Sequence, residues 1–401
     1  MTPRRASTGL RLSITGDGAI CALGSRLPRI LDALRAGVAS PTAAPLETSL
    51  RQKPPVFVVA EPLDDPDAAE LYRTSRLALH AAHEALATAW PAGPPVPPAR
   101  IGVCMGTTAG CTLNQEPFYR AYRRGEDPGA VGVRRYFAND LAACLADAIG
   151  ARGPIVNVAT ACASSADALG LAASWLAAGE CDAVVAGGAD ELVRFPYVGF
   201  AALQNVAFEP CRPFDLHRRG LNLGEGAGVL VLEREDDARR RGAPVLGRLL
   251  GYANAADAFH ATTPHPDGRG LRQALAAALR QAGVEAGEVG FVNAHGTGTI
   301  ENDRVEGKVL ADSFPARTAV FSTKGLTGHT LGAAGALEAI FAVHNLREGW
   351  VPRSAGFETP DPECRVVPTT ALTPVDADVA VSTSLAFGGT NAVLVLGRGG
   401  A

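Results

Sequence analysis

Residues Ile155–Gly170 read IVNVATACASSADALG. An apolar, β-branched run ends in a turn of small residues, and Cys162 stands where an alanine-rich helical stretch begins. This is the pattern of a strand-to-helix elbow that lifts a nucleophile above a sheet, with a thiol in place of a hydroxyl. The free N–H groups and partial positive charge of a helix start favour thiolate over thiol. The stretch therefore predicts an activated thiol whose own amide faces an incoming carbonyl. Ala161, Ala163, Ser164 and Ser165 are small enough to leave room for a substrate. A lone cysteine in such a place is more often packing than chemistry, so the case rests on the rest of the chain.

Runs of the same kind recur on both sides of this elbow. Upstream lie Arg11–Gly16 and Ile101–Gly106; downstream lie Ala183–Gly187, Gly228–Glu233, Val245–Tyr252, Val289–Ala294, Ala319–Thr323, Val379–Ser384 and Ala392–Gly397. Several are apolar almost throughout, as suits strands covered on both faces. Alanine- and leucine-rich stretches of helical length stand between them: Ser75–Ala89, Asn139–Ile149, Ser164–Ala178, Gly270–Ala282 and Gly332–Leu346. Alternation of strand and helix predicts a layered α/β fold. The charged run REDDARRR, Arg234–Arg241, marks a boundary near residue 240, giving halves 1–240 and 241–401 of similar layout. No short internal repeat is visible. PAGPPVPP, Pro91–Pro98, reads as a stiff surface connection.

The composition narrows the function. The chain has 401 residues, a formal net charge of −4, 47% hydrophobic and 19% charged residues. That is ordinary for a globular protein and too apolar for disorder. The near-neutral balance argues against nucleic acid as partner. No apolar run approaches the roughly 18 residues of a membrane span, and the basic start Met1-Thr-Pro-Arg-Arg5 is followed by no signal-peptide core. A cytoplasmic protein is the expectation. The eight cysteines form no Cys-x-x-Cys pair, which fits free thiols and gives zinc no ligand pattern. Lysine is rare: Lys53, Lys308 and Lys324 stand among 37 basic residues. A lysine kept inside a glycine-rich motif suggests a need for its compact ammonium group.

Three further motifs follow strands. In FVNAHGTGT, Phe291–Thr299, His295 enters a loop whose glycines let a ligand approach the backbone; Asp303 and Glu306 follow. In STKGLTGHTLGAAG, Ser322–Gly335, Lys324 and His329 precede a helix opened by small residues, which implies close packing. STSLAFGGTN, Ser382–Asn391, again runs a strand into a glycine pair. Cys162, His295 and His329 thus lie at strand ends beside tight turns, where open α/β folds build their sites. They are far apart in sequence, so only folding unites them.

Together TACASS, NAHGTGT with Asn302-Asp303-x-x-Glu306, KGLTGHTLGAAG and FGGTN resemble the β-ketoacyl-acyl-carrier-protein synthases of the elongating class. Gly16, Arg212-Pro-Phe-Asp215, Gly224-Glu-Gly-Ala-Gly228 and Asp257-Ala-Phe-His260 extend the match over essentially the whole chain. The resemblance implies a thiolase-like, five-layered αβαβα fold from two similar halves. It implies decarboxylative Claisen condensation of a Cys-bound acyl group with a malonyl carrier. Cys162 would be the nucleophile, His295 and His329 the active-site histidines, and Lys324 the accompanying lysine, ion-paired with Glu306. Phe387 would gate the acyl pocket and lend its amide to an oxyanion hole, and Thr297 and Thr299 would hold the phosphopantetheine arm. That arm arrives on the carrier, so no metal or organic cofactor is expected.

Acyl carrier protein is the implied partner, with a homodimer or a heterodimer with a ketosynthase-like subunit. Because carriers are acidic, a basic docking patch is expected; Arg73, Arg76, Arg134 and Arg135 match that surface, with Arg123 and Arg124 as weaker candidates. His260 is a secondary candidate at the pocket mouth. Ala109 replaces a bulkier gate and would deepen the acyl channel. With Gly220-Leu-Asn-Leu-Gly224 and Tyr136-Phe-Ala-Asn-Asp140 it favours an aryl-polyene or related type II polyketide pathway over ordinary fatty-acid elongation. The motifs also bear on other readings. A thiolase would need a second cysteine in the C-terminal glycine loop, where Leu385-Ala-Phe-Gly-Gly-Thr390 stands. A non-catalytic chain-length-factor-like subunit would lack the nucleophile that Cys162 supplies.

Overall fold

The structure, a computed structural model, describes residues 11–63, 71–108 and 115–400. In chain order its strands are β1 (Leu12–Cys21), β2 (Ile101–Gly106), β3 (Ile155–Val158), β4 (Ala183–Asp190), β5 (Gly226–Arg234), β6 (Gly247–Ala256), β7 (Val289–Asn293), β8 (Ala319–Phe321), β9 (Trp350–Val351), β10 (Thr373–Pro374), β11 (Val379–Ala386) and β12 (Thr390–Arg398). Ten of them follow the order β3-β2-β4-β5-β1-β6-β12-β11-β7-β8. The first five repeat in mirror order in the last five. In each half the strand before the buried elbow is the outermost. β2 is parallel to β3 and β4, as β7 is to β8 and β11. β5 and β12 run antiparallel to their neighbours on both sides.

Among the described residues the named strands of the two halves pair at one corner, where Leu12–Ile14 meet Gly247–Leu249. The two five-stranded portions therefore form separate layers. Between them lie the helices Ser164–Ala178, packed on β2 and β4, and Ala334–Glu348, packed on β5, β11 and β12. Outside, Arg73–Ala89 covers β1 and β5, and Arg269–Ala282 covers β6 and β12. The result is five layers, αβαβα. Position in the stack explains the sequence of each helix. Arg269–Ala282 has one apolar stripe, whereas every residue of Ala334–Leu346 is buried, as a helix covered all round requires.

The two central helices meet through small residues. A Cβ on Gly335 would lie 2.9 Å from the Ala166 Cβ, and one on Gly106 2.3 Å from the Ser164 carbonyl carbon and the Ser165 nitrogen. Ser165 Oγ accepts the Ala336 amide at 2.9 Å. The small residues that open Ala334–Glu348 thus serve the close packing read from the sequence. The internal duplication is not visible as a sequence repeat, because it survives in element order and not in residue identity.

Candidate active site

Both central helices begin with a strained turn. Ala161 and Leu331 adopt positive φ, 52° and 53°, a conformation costing a non-glycine residue roughly 1–2 kcal/mol. Each opens a single 3-10 turn, Ala161–Ala163 and Leu331–Ala333, that leads into its helix. On the first turn Ser164 Oγ accepts the Thr160 amide at 3.0 Å, fixing the elbow. Cys162 sits on it, 5% exposed. His329 stands just before the second, its backbone bonded on both sides to the Asn222–Gly224 segment.

These residues line one cavity of about 370 Å³ with His295, Thr297, Thr299 and Phe387. The His295 and His329 rings meet edge to face, 5.2 Å apart. Phe387 stacks on Phe200 at 5.2 Å. The Phe387 and Cys162 amides both bond to the Cys162 sulfur, so two N–H groups converge on the reacting position. Thr297 and Thr299 hydroxyls lie 2.9 Å apart on the same wall.

At the buried end of this cavity, Lys324 and Glu338 stand behind the lining side chains. Lys324, 1% exposed, forms an ion pair with Glu338 and lies 3.2 Å from His295 Nδ1. An ammonium group only donates. His295 Nδ1 is therefore the acceptor, and the ring proton of the neutral imidazole resides on Nε2. Burial holds the His295 pKa well below 6.5, with Lys324 and His329 adding to the effect. Burial and Lys324 do the same to His329. Both rings are neutral at neutral pH. Neither ring nitrogen of His329 has a hydrogen-bond partner among the described residues.

Two expectations are corrected here. The acidic partner of Lys324 is Glu338, not Glu306. Glu306 serves the backbone instead: it accepts the His295 and Gly296 amides, each at 2.8 Å, and the Thr383 hydroxyl at 2.6 Å. It shapes the histidine loop from behind. The thiol also differs. Burial pushes Cys162 up to about 12, against the pull of Lys324 and the two amides and with a further push from Asp190. The field of one helix end does not overcome a dry pocket.

The proposed docking arginines divide. Arg73 is committed to Glu225, at 2.9 and 2.6 Å, and to the Val59 carbonyl. Arg76 bonds the Leu63 carbonyl. Both brace the fold, which removes them from a free basic patch. Arg135 stacks on Tyr72 at 4.8 Å, and Arg134 is exposed. Arg124 pairs with Glu126, and Arg123 reaches the Tyr119 hydroxyl. His260 is exposed and accepts the Thr262 amide; Asp257, Thr262, Thr263 and Pro264 of its segment line the cavity instead. Ala109 lies outside the described residues.

Sequence reading missed two buried carboxylates. Glu338 is one; its signal was a lone acid inside the apolar helix AGALEAIFAVHN. Asp190 is the other. It accepts the Thr107 hydroxyl and the Thr108 and Gly332 amides at 2.7–2.8 Å, tying the two elbows together. Burial raises its pKa to about 6 against those bonds.

Comparison with known proteins identifies the family. Residues 11–238 match the family model "Beta-ketoacyl synthase, N-terminal domain" and residues 246–358 match "Beta-ketoacyl synthase, C-terminal domain". The chain is 34% identical to 3-oxoacyl-[acyl-carrier-protein] synthase 2 of Staphylococcus aureus (strain MRSA252), over 97% of this chain and 98% of that protein. Among solved structures, the ishigamide ketosynthase/chain length factor superposes with a TM-score of 0.92 at 30% identity, covering 98% of this chain and all of the other. The ketosynthase ApeO in complex with its chain length factor ApeC from Xenorhabdus doucetiae gives 0.83 at 31% identity, covering 99% of this chain and all of the other.

Proposed function

Since the chain belongs to the β-ketoacyl synthase family, we propose that Cys162, His295 and His329 carry the condensation its relatives are named for. The protein is a β-ketoacyl-acyl-carrier-protein synthase, an acyltransferase that lengthens a carrier-bound acyl chain. The observation that supports these roles is the convergence of one thiol, two neutral imidazoles and two amides on a single buried cavity.

The chemistry follows from that set. Cys162 sulfur attacks the acyl thioester, and the carrier thiol leaves with the cysteine proton. The tetrahedral oxyanion faces the Cys162 and Phe387 amides. A malonyl thioester then loses CO2, and the electron pair passes into an enolate. Its oxygen is met by the Nε2–H of His295 and by the unpartnered His329 ring. Neutral donors suit this step, because they stabilise charge as it forms. The enolate carbon attacks the acyl-Cys162 carbonyl; a carbon–carbon bond forms and the Cys162 thiolate leaves. Lys324 and Glu338 act one step back, fixing the His295 tautomer, and Glu306 holds the loop that carries it. Thr297 and Thr299 hold the pantetheine arm, and the chain divides near residue 240 into a nucleophile half and a histidine half.

The partners are an acyl carrier protein, met by Arg134, and a second ketosynthase-like subunit. Edge strand β3 supports the latter: Ile155 and Val156 are each 38% exposed on it. An uncovered apolar edge invites a partner strand. Among the described residues no helix is long and apolar enough to cross a membrane.

Intact-mass analysis tests the reading. Wild type incubated with acyl-carrier thioesters should gain one acyl group at Cys162, and Cys162→Ala should gain none. Malonyl-carrier should then discharge it as a β-ketoacyl carrier two carbons longer. A folded wild type that takes no acyl group from any carrier, alone or with its partner subunit, would turn the assignment toward a non-catalytic subunit.

A further inference from the structure

The cavity that ends at Cys162 opens at an uncommitted cation. Arg219 is exposed and lines the same cavity. Its neighbour Arg218 is buried, bonding the Thr299 and Ile300 carbonyls and Asp361. The next residue, Gly220, donates its amide to the Gly298 carbonyl at 2.9 Å. Arg219 is thus clamped on both sides against the Thr297–Thr299 wall, with its side chain left for the cavity rim.

Its charge is not spent within the described residues. The two carboxylates on the cavity lining are already engaged: Asp257 accepts the His265 and Gly270 amides, and Glu301 pairs with Arg304. Among the described residues Arg219 makes no ion pair and is the one arginine or lysine on the cavity lining. Gln204, Asn205, Thr262 and Thr263 supply neutral polar groups around it.

We propose that Arg219 is the phosphate-binding residue of the pantetheine channel. The inference rests on the condensing reading above. A carrier's arm has a thioester at one end and a phosphodiester at the other. A channel with a thiol at its buried end and a guanidinium at its open end matches that polarity. Guanidinium binds phosphate by paired, charge-assisted hydrogen bonds. Arg219 is a binding residue, distinct from the surface arginines that would meet the carrier's own acidic side chains.

The test compares two thioesters that differ only in the phosphate, acyl-phosphopantetheine and acyl-pantetheine, as donors to Cys162. Wild type should prefer the phosphorylated donor by about tenfold in kcat/KM, through KM, and the preference should shrink with salt. Arg219→Gln should abolish the preference by slowing only the phosphorylated donor, and Arg219→Lys should keep part of it. Equal slowing of both donors, or no preference in wild type, would overturn the proposal. Calorimetric binding of phosphopantetheine and pantetheine to the same proteins separates this from the condensing role. A wild type that discriminates them and loses discrimination in Arg219→Gln supports the subsite even if no acyl transfer occurs. Absence of discrimination there rejects the subsite even if acyl transfer proceeds.

Discussion

Replacing Glu338 by alanine should destabilise the protein by about 3–5 kcal/mol, the range for removing one member of a buried ion pair. Lys324 and Glu338 side chains are 1% and 3% exposed, so water cannot take over from the lost partner. The remaining ammonium would face His295 Nδ1 and little else. That loss is a large share of a total stability of roughly 5–15 kcal/mol. Lys324→Met leaves a different orphan. Burial already raises the Glu338 pKa to about 7, with Lys324 pulling the other way. Without the lysine, the carboxyl escapes its cost by taking a proton. The Lys324→Met penalty should therefore shrink from pH 8 to pH 6, whereas acid cannot neutralise an ammonium and the Glu338→Ala penalty should persist. The double replacement Lys324→Met/Glu338→Leu should cost less than the sum of the singles, since it leaves no charge behind. Guanidinium unfolding at both pH values reads all four proteins. Additive single and double effects, or a Glu338→Ala cost below about 1 kcal/mol, would show that the pair is not the buried, mutually dependent unit described here.

Three further outcomes follow. With its thiol pushed up to about 12 by burial, Cys162 should alkylate with iodoacetamide at a rate rising about tenfold per pH unit from 7 to 9; a plateau near pH 7 would restore the activated thiolate. Because burial and Lys324 depress His295 and His329, condensation should persist as pH falls through 6.5, and Lys324→Met should move the acid limb to higher pH; an unmoved limb in the pH–rate profile would remove Lys324 from control of the imidazoles. Gly106→Ala should abolish soluble protein, since its Cβ would strike helix backbone at 2.3 Å, whereas Gly199→Ala, with nothing within 4 Å, should raise stability by about 0.5–1 kcal/mol; thermal unfolding of both decides.

The strands and the five alanine-rich helices were legible because each is an unbroken apolar or periodic run, and burial in a layer demands that pattern; four of the five helices are also closed by a glycine. The site's membership was legible for a similar reason: Cys162, His295, His329 and Lys324 each stand in a turn of small residues. Their couplings were not. Glu306 and Glu338 both follow motif residues at short range, and only the fold decides which one reaches Lys324. Arg73 resembled a surface cation until Glu225, far along the chain, was brought against it. The thiol was misjudged because a helix start is local and visible, whereas desolvation is the sum of everything packed around it.

The duplicated fold explains why the site is asymmetric. Its halves place two equivalent elbows back to back, Ala161-Cys162-Ala163 and Leu331-Gly332-Ala333, each with a positive-φ residue first. Only one has a side chain for chemistry. At the other, a Cβ on Gly332 would lie 2.6 Å from the Thr108 nitrogen and 2.7 Å from Asp190 Oδ2, and the Gly332 amide bonds that same carboxylate. The second elbow thus gives up its side chain to let the halves close, and the segment just before it contributes His329 instead. One turn carries the nucleophile, and its counterpart pulls the histidine wall to within reach of it. Asp190, which bonds Thr107 and Thr108 before the first elbow and Gly332 in the second, joins the two by hydrogen bonds, as the Ser165–Ala336 bond does one turn further on.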